Sequence, residues 1–170
     1  MDRQVVVRAE ELTVEHFAPY GQAVLMPDGL APKRGQDWDC WDNLARFGSA
    51  AQRVGCVWTR PTNRPITHME RHLAEVLAPV TAPVIQAMAL PDDLADPHAQ
   101  PDAHTVRAFI IRPGQCIVMA DGAWHWAAIP WQETAFYYFI FQPSLEPFGL
   151  TSDPWVPFRH GESIRIEVCI

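Results

Sequence analysis

The chain has 170 residues, the size of one domain whose core is large enough to fold without disulfides or structural metals. Thirteen lysines and arginines against 20 aspartates and glutamates give a formal charge of −7, so a nucleic-acid-binding surface is not expected. Sixteen prolines, seven tryptophans and eight phenylalanines indicate short strands joined by rigid turns, and we predict a single all-β domain over residues 1–170.

No apolar run reaches the roughly 18 residues of a membrane-spanning helix, and the first residues lack the apolar stretch of a secretory signal. We therefore expect a soluble, cytoplasmic protein that contacts no membrane. The four cysteines form no C-x-x-C pair, which predicts reduced thiols without a functional role.

Short β-rich runs bounded by turn residues predict strands at 4–8, 22–25, 53–59, 66–72, 84–90, 106–112, 116–119, 134–142 and 163–169. The first of these is expected at a sheet edge. The aromatic run 134–142 is expected to be covered on both faces, and the alternating run 163–169 to lie on the outside. Thr13 can cap one short helix that extends to Phe17.

Two polar segments predict loops. Residues 27–42 form the first, and we expect its Trp38 and Trp41 to pack on the barrel as anchors rather than to form a lid. Residues 91–104 form the second, where His98 and His104 are expected to face solvent.

A histidine stands at the end of a turn-rich stretch, residues 113–125. A second tight turn at 121–122 delivers Trp124 and His125 to a fixed place on the predicted barrel wall. A histidine between two tryptophans is also typical of a packed core position, so the site interpretation depends on partners elsewhere in the chain.

Such partners occur in the predicted strand 66–72. Residues two apart in a strand share a face, so His68, Glu70 and His72 would point the same way. Three possible ligands on one face suit a metal site on a barrel wall. A solvated polar face or the start of a helix are the alternatives.

These stretches together resemble the ureidoglycolate lyase family, cupin-fold proteins of purine and allantoin catabolism. Residues that match its short motifs over roughly 5–142 are Phe17, Tyr20, Gly21, Arg60, Glu70, Arg71, His72, Arg107, Ala108, Phe109, Ile110, Gly114, Trp124 and His125. The spacing of Gly114, Ala120, Gly122 and His125 also resembles the second cupin motif, with Ala120 where proline is usual.

The resemblance implies a double-stranded β-helix barrel, usually a homodimer, that cleaves ureidoglycolate into glyoxylate and urea. It also implies Glu70, His72 and His125 as catalytic residues, and as the ligands of a divalent metal ion if one is bound. The reaction is the collapse of a hemiaminal, which needs an acid–base group and an electrophile.

Arg60 or Arg107 is the candidate clamp for the substrate carboxylate, and Trp124 is assigned to the substrate pocket. Two other functions stay open. One is a small-molecule-binding cupin without turnover, lined by Trp58, Trp124 and Trp126, and the other is a metal-dependent cupin isomerase or oxygenase.

Overall fold

A computed structural model describes residues 4–25, 30, 33–34, 39–40, 53–141 and 155–168 of the chain. The strands are β1 (Gln4–Glu11), β2 (Gly21–Val24), β3 (Lys33–Arg34), β4 (Asp39–Cys40), β5 (Arg53–Thr59), β6 (His68–Glu70), β7 (Glu75–Pro79), β8 (Val84–Ala89), β9 (Arg107–Ile111), β10 (Cys116–Met119), β11 (Trp124–His125), β12 (Ile129–Pro130), β13 (Ala135–Phe141), β14 (Trp155–Pro157) and β15 (Ser163–Val168). The helical elements are one α-helix, α1 (Val14–Phe17), and two short 3₁₀ turns at Ala103–Thr105 and Arg159–Gly161. No helix in these ranges has the length and apolar content needed to cross a membrane.

Helix α1 begins where the sequence predicts. The hydroxyl oxygen of Thr13 accepts a hydrogen bond from the backbone N–H of His16 at 3.1 Å, which satisfies one free donor of the first turn. Phe17 is completely buried, and its ring packs edge-on against Phe109 with centroids 5.1 Å apart. The short helix thus closes one part of the core between the sheets.

Two curled sheets enclose the main core. The smaller sheet has the strand order β2-β10-β7-β13-β5, and the larger follows β14-β6-β11-β8-β9-β1-β15, with β12 beside β8. Buried residues of both sheets meet between them, among them Leu77, Met88, Phe109, Ile117 and Tyr137. Two sheets around a shared core are the all-β architecture that the sequence predicts.

A second core covers the outer face of the larger sheet. The outward side chains of β6, β8 and β11, including Met69, Ile85 and Trp124, pack there with Phe158 and Ile164. Strand β15 completes this layer by pairing in parallel with β1. Because the larger sheet is buried on both faces, neighbouring residues of β11 face different cores.

Three predictions about strands were wrong. Strand β1 is not at an edge, since β9 and β15 flank it. Strand β13 has neighbours on both sides, but its outer face is not covered, because Tyr138 is 47% exposed. The predicted strand 66–72 is reduced to an isolated bridge at Ile66 and to β6, so His72 lies beyond the strand.

The predicted loop at 91–104 is present, with His98 and His104 exposed. It is nevertheless fastened to the barrel, since the buried guanidinium of Arg71 donates a hydrogen bond to the carbonyl oxygen of Asp96 at 2.6 Å. Most of the loop predicted at 27–42, including Trp38 and Trp41, lies outside the described residues.

Candidate active site

A cavity of about 300 Å³ lies between the two sheets. Its polar lining consists of Glu70, His72, Glu75, Gln86, His125 and Tyr137. Its apolar lining consists of Val57, Leu77, Trp126, Ala127, Ala128, Phe139 and Phe141.

Strand pairing brings the predicted site residues together. Glu70 ends β6 and lies directly opposite His125 of β11 in the antiparallel register. Ligand atoms of Glu70, His72 and His125 all lie within 4.8 Å of one another, and the two imidazole rings are nearly perpendicular with centroids 4.7 Å apart. The predicted convergence of the three side chains is confirmed, while their catalytic and metal-binding roles stay predictions.

One turn holds the segment of His72 beside His125. The turn at 121–122 uses Gly122 at φ 71°, a backbone conformation that favours glycine, and its N–H donates to the carbonyl oxygen of His72 at 2.8 Å. The carboxylate of Asp121 accepts a hydrogen bond from the N–H of Ala74 at 2.7 Å. The segment after β6 and the turn before β11 are therefore fastened to each other.

His125 lines the cavity and is held in one tautomer. Its Nδ1–H donates to the carbonyl oxygen of Ala123 at 3.0 Å, so the neutral ring carries its lone pair on Nε2. This Nε2 is buried without a hydrogen-bond partner among the described residues, 3.8 Å from carboxylate oxygens of both Glu70 and Glu75. Burial lowers the pKa of His125 to about 4, against the opposing effect of the Glu75 charge, so the ring is neutral at pH 7.

The pKa of His72 is shifted in the opposite direction from that of His125. The Nδ1–H of His72 donates to the carbonyl oxygen of Leu73 at 2.7 Å, and its Nε2 lies 3.1 Å from a carboxylate oxygen of Glu75. Burial lowers the pKa of His72, but the hydrogen bond and charge of Glu75 outweigh it, so the pKa is raised overall. The site therefore combines a neutral imidazole with one that tends to hold its proton, a separation typical of acid–base pairs.

The same residues fit a divalent cation. The unpartnered Nε2 of buried His125, the Nε2 of His72 and the carboxylate of Glu70 are the nitrogen and oxygen donors that zinc and similar ions bind. Glu75 adds a second carboxylate within 3.8 Å of His125 Nε2. The donor set thus matches the metal site that the resemblance implies.

Glu75, Gln86 and Tyr137 were not identified from the sequence. Glu75 begins β7 and shares its buried face with Leu77, so a single carboxylate on an otherwise apolar strand face was the available signal. Gln86 donates from Nε2 to the carbonyl oxygen of Trp126 at 2.5 Å and so fixes the segment after His125. Burial raises the pKa of Tyr137, which keeps its hydroxyl protonated.

The structure does not bring the predicted substrate-binding residues to this cavity. Trp124 is fully buried on the opposite face of the sheet, with the Arg71 guanidinium 4.8 Å from its ring centroid. Arg60 is exposed and outside the lining. Arg107 is also exposed, and its Nε donates to the carboxylate of Glu10 at 2.7 Å.

Two further residues proposed from the sequence, His68 and Trp58, lie outside the cavity lining. The ring of His68 packs edge-on against Trp126 with centroids 4.7 Å apart, outside the Glu70–His72–His125 cluster. Trp58 is 57% exposed and does not line the cavity. Of the predicted aromatic lining, Trp126 alone among the described residues is in place.

Comparisons with known proteins give one family. A family model described as "Ureidoglycolate lyase" matches residues 4–148. A solved structure of RmlC from Streptococcus suis in complex with dTDP-D-xylose is similar at 7% sequence identity and a TM-score of 0.38, over 68% of this chain and 61% of that chain. A search of curated proteins found no significant match.

Proposed function

We propose, because this chain belongs to the ureidoglycolate lyase family, that it cleaves ureidoglycolate to glyoxylate and urea in the cavity between its two sheets. The observation that supports this site is the buried Nε2 of His125, a residue of the cavity lining; this nitrogen has no hydrogen-bond partner among the described residues and lies beside two carboxylates. Such a nitrogen is suited to accept a proton from a bound hydroxyl group.

The reaction converts a carbinol into a carbonyl. The neutral His125 takes the proton of the carbinol hydroxyl, the carbon–oxygen bond becomes a double bond, and the carbon–nitrogen bond breaks. The departing urea nitrogen receives its proton from His72, which Glu75 favours in the protonated form. The two imidazoles are adjacent, so the proton gained by His125 can return to His72 after product release.

Positive charge at the site must come from few groups. The described lining contains no lysine or arginine, and therefore the imidazolium of His72 is its source of positive charge for the substrate carboxylate. A divalent ion held by Glu70, His72 and His125 would replace the proton of His72 and occupy the lone pair of His125, and it would itself supply the positive charge as a Lewis acid that lowers the pKa of a bound hydroxyl. Arg60 and Arg107 have no part in this proposal, because neither lines the cavity.

The test is release of glyoxylate and urea in equal amounts by the purified protein. His125→Ala should lower kcat/KM by on the order of 10²-fold, the usual scale for loss of an acid–base group. His98→Ala is the matched control, since His98 is an exposed loop histidine outside the cavity. Absence of glyoxylate release by the parent protein, or equal losses in both variants, would overturn the proposal.

The second candidate is a binding protein without turnover. The apolar side of the cavity favours a binding protein, because its side chains offer contact area but no group that takes part in chemistry. Ligand binding without product formation would support this alternative. The single-domain organisation and the cytoplasmic location stay predictions.

A further inference from the structure

We propose that the cavity contains an apolar subsite, formed by Val57, Leu77, Phe139 and Phe141, that receives an alkyl or aryl group of the ligand. The ligand class is a 2-hydroxy carboxylate whose oxygens lie at the histidines and whose substituent lies on this subsite. The inference concerns the same cavity but goes beyond the proposed function, because ureidoglycolate carries a ureido group and no alkyl or aryl substituent.

The apolar subsite lies on the wall that the smaller sheet contributes to the cavity, and this wall also carries Glu75 of β7 and Tyr137 of β13. Glu70, Gln86 and His125 belong to strands of the larger sheet. The apolar subsite comes entirely from β5, β7 and β13 of the smaller sheet. A ligand group that reaches Val57, Leu77, Phe139 and Phe141 therefore meets apolar side chains, whereas Glu70, Gln86 and His125 offer polar contacts.

The subsite begins directly beside the histidines. The ring centroid of Phe141 lies 6.0 Å from that of His72, and the ring centroid of Phe139 lies 5.3 Å from that of Phe141. A carboxylate held at His72 thus brings the next part of the ligand against the two phenyl rings. An N–H or carbonyl group buried there would lose hydrogen bonds to water, whereas an apolar group would be stabilised by burial.

Gly55 leaves room for the ring of Phe139, one of the four residues of the subsite. It lies directly opposite Phe139 in the register of β5 and β13, and a Cβ at Gly55 would lie 2.1 Å from Cζ of the Phe139 ring. The phenyl ring therefore occupies the space that a side chain at position 55 would fill. A larger residue there would displace the ring, and the cavity is the open space next to it.

An aromatic ring over a glycine also stabilises a sheet without any role in binding. The two roles predict different results. A stabilising role predicts that Gly55→Ala changes stability but not ligand preference. A subsite role predicts that it selectively weakens ligands with large substituents.

The experiment measures binding of glycolate, lactate and 3-phenyllactate by calorimetry to the protein as purified. Affinity should rise about fourfold for a buried methyl group and roughly tenfold or more for the benzyl group. Gly55→Ala should remove most of the gain for 3-phenyllactate and leave glycolate unchanged. Leu94→Ala, an exposed change in the 91–104 loop, is the control.

Val57→Thr provides a second variant with little change in shape, for use if Gly55→Ala fails to fold. It should lower the affinity for 3-phenyllactate severalfold and leave glycolate unchanged. Equal affinity for all three acids, or equal losses for glycolate and 3-phenyllactate in the variants, would overturn the subsite. If the three acids bind equally well and the protein releases glyoxylate, the subsite is rejected and the lyase proposal stands. If affinity rises with the size of the substituent and no glyoxylate is released, only the lyase proposal is rejected.

Discussion

Lowering the pH from about 7 to about 5 should destabilise the folded protein through His125, whose side chain is 4% exposed. Its pKa is about 4 in the folded protein against an ordinary value of 6.5. The unfolded chain therefore binds this proton first as the pH falls. The stability that neutral His125 contributes is fully present above about pH 6.5 and is lost between about pH 6.5 and pH 4.

The magnitude follows from the pKa values. At about pH 5 the ordinary pKa of 6.5 lies about 1.5 units above the pH, and each unit corresponds to about 1.36 kcal/mol. The expected loss is thus about 2 kcal/mol, or roughly 4–8 °C in melting temperature for a chain of this length. Full burial of the ring makes solvent screening small.

The groups that face His125 do not reverse this sign. Glu70 and Glu75 approach its Nε2, and their charges are part of the environment in which its pKa is about 4. His72 has a raised pKa, so its contribution is present below pH 6.5 and is lost as the pH rises through its folded value. The pH range over which the contribution of His72 is lost therefore lies above the range for His125.

The assay is urea unfolding with EDTA at both pH values for the parent protein, His125→Gln and His98→Gln. Glutamine does not titrate, so His125→Gln should lose about 2 kcal/mol less than the parent between the two pH values. His98→Gln should follow the parent, because His98 is exposed. An equal acid loss in His125→Gln and the parent would refute the burial argument.

Three further predictions concern neighbouring features. Glu75→Gln should lower the pKa of His72, measured by NMR titration, and reduce kcat/KM by about 10²-fold, and an unchanged pKa would contradict the pairing. Excess Zn²⁺ should raise the melting temperature of the parent but much less that of Glu70→Gln, whereas equal shifts would argue against Glu70 as a ligand. The exposed side chains of Trp58 and Tyr138 on the smaller sheet predict a homodimer at micromolar concentration. Light scattering should show that Tyr138→Glu converts the dimer to a monomer, and a monomeric parent protein would reject the prediction.

The core of the site could be predicted because it depends on local patterns. Strand alternation and a turn before His125 bring that residue into the barrel, and the motif Glu70–His72 supplies its partners. The same alternation places Trp124 on the other face, so assigning both neighbours to one pocket was inconsistent with strand geometry.

The features that could not be predicted depend on the pairing of strands that are far apart in the sequence. Arg107 contacts Glu10 because β1 and β9 lie side by side, and no short sequence pattern contains that register. The position of β1 inside its sheet likewise depends on β15, at the far end of the described chain. Glu75 reaches both histidines because β7, in the other sheet, faces β11 across the cavity.

The pairing of β1 with β15 has a consequence for synthesis on the ribosome. The outer core over Ile85 and Trp124 includes Ile164 of β15, whose backbone exchanges hydrogen bonds with Ile66 at 3.0 and 2.9 Å. A nascent chain that still lacks β15 therefore exposes this apolar sheet face to water or to chaperones. The last step of folding must wait until β15 has left the ribosome, and such long-range closure is slow.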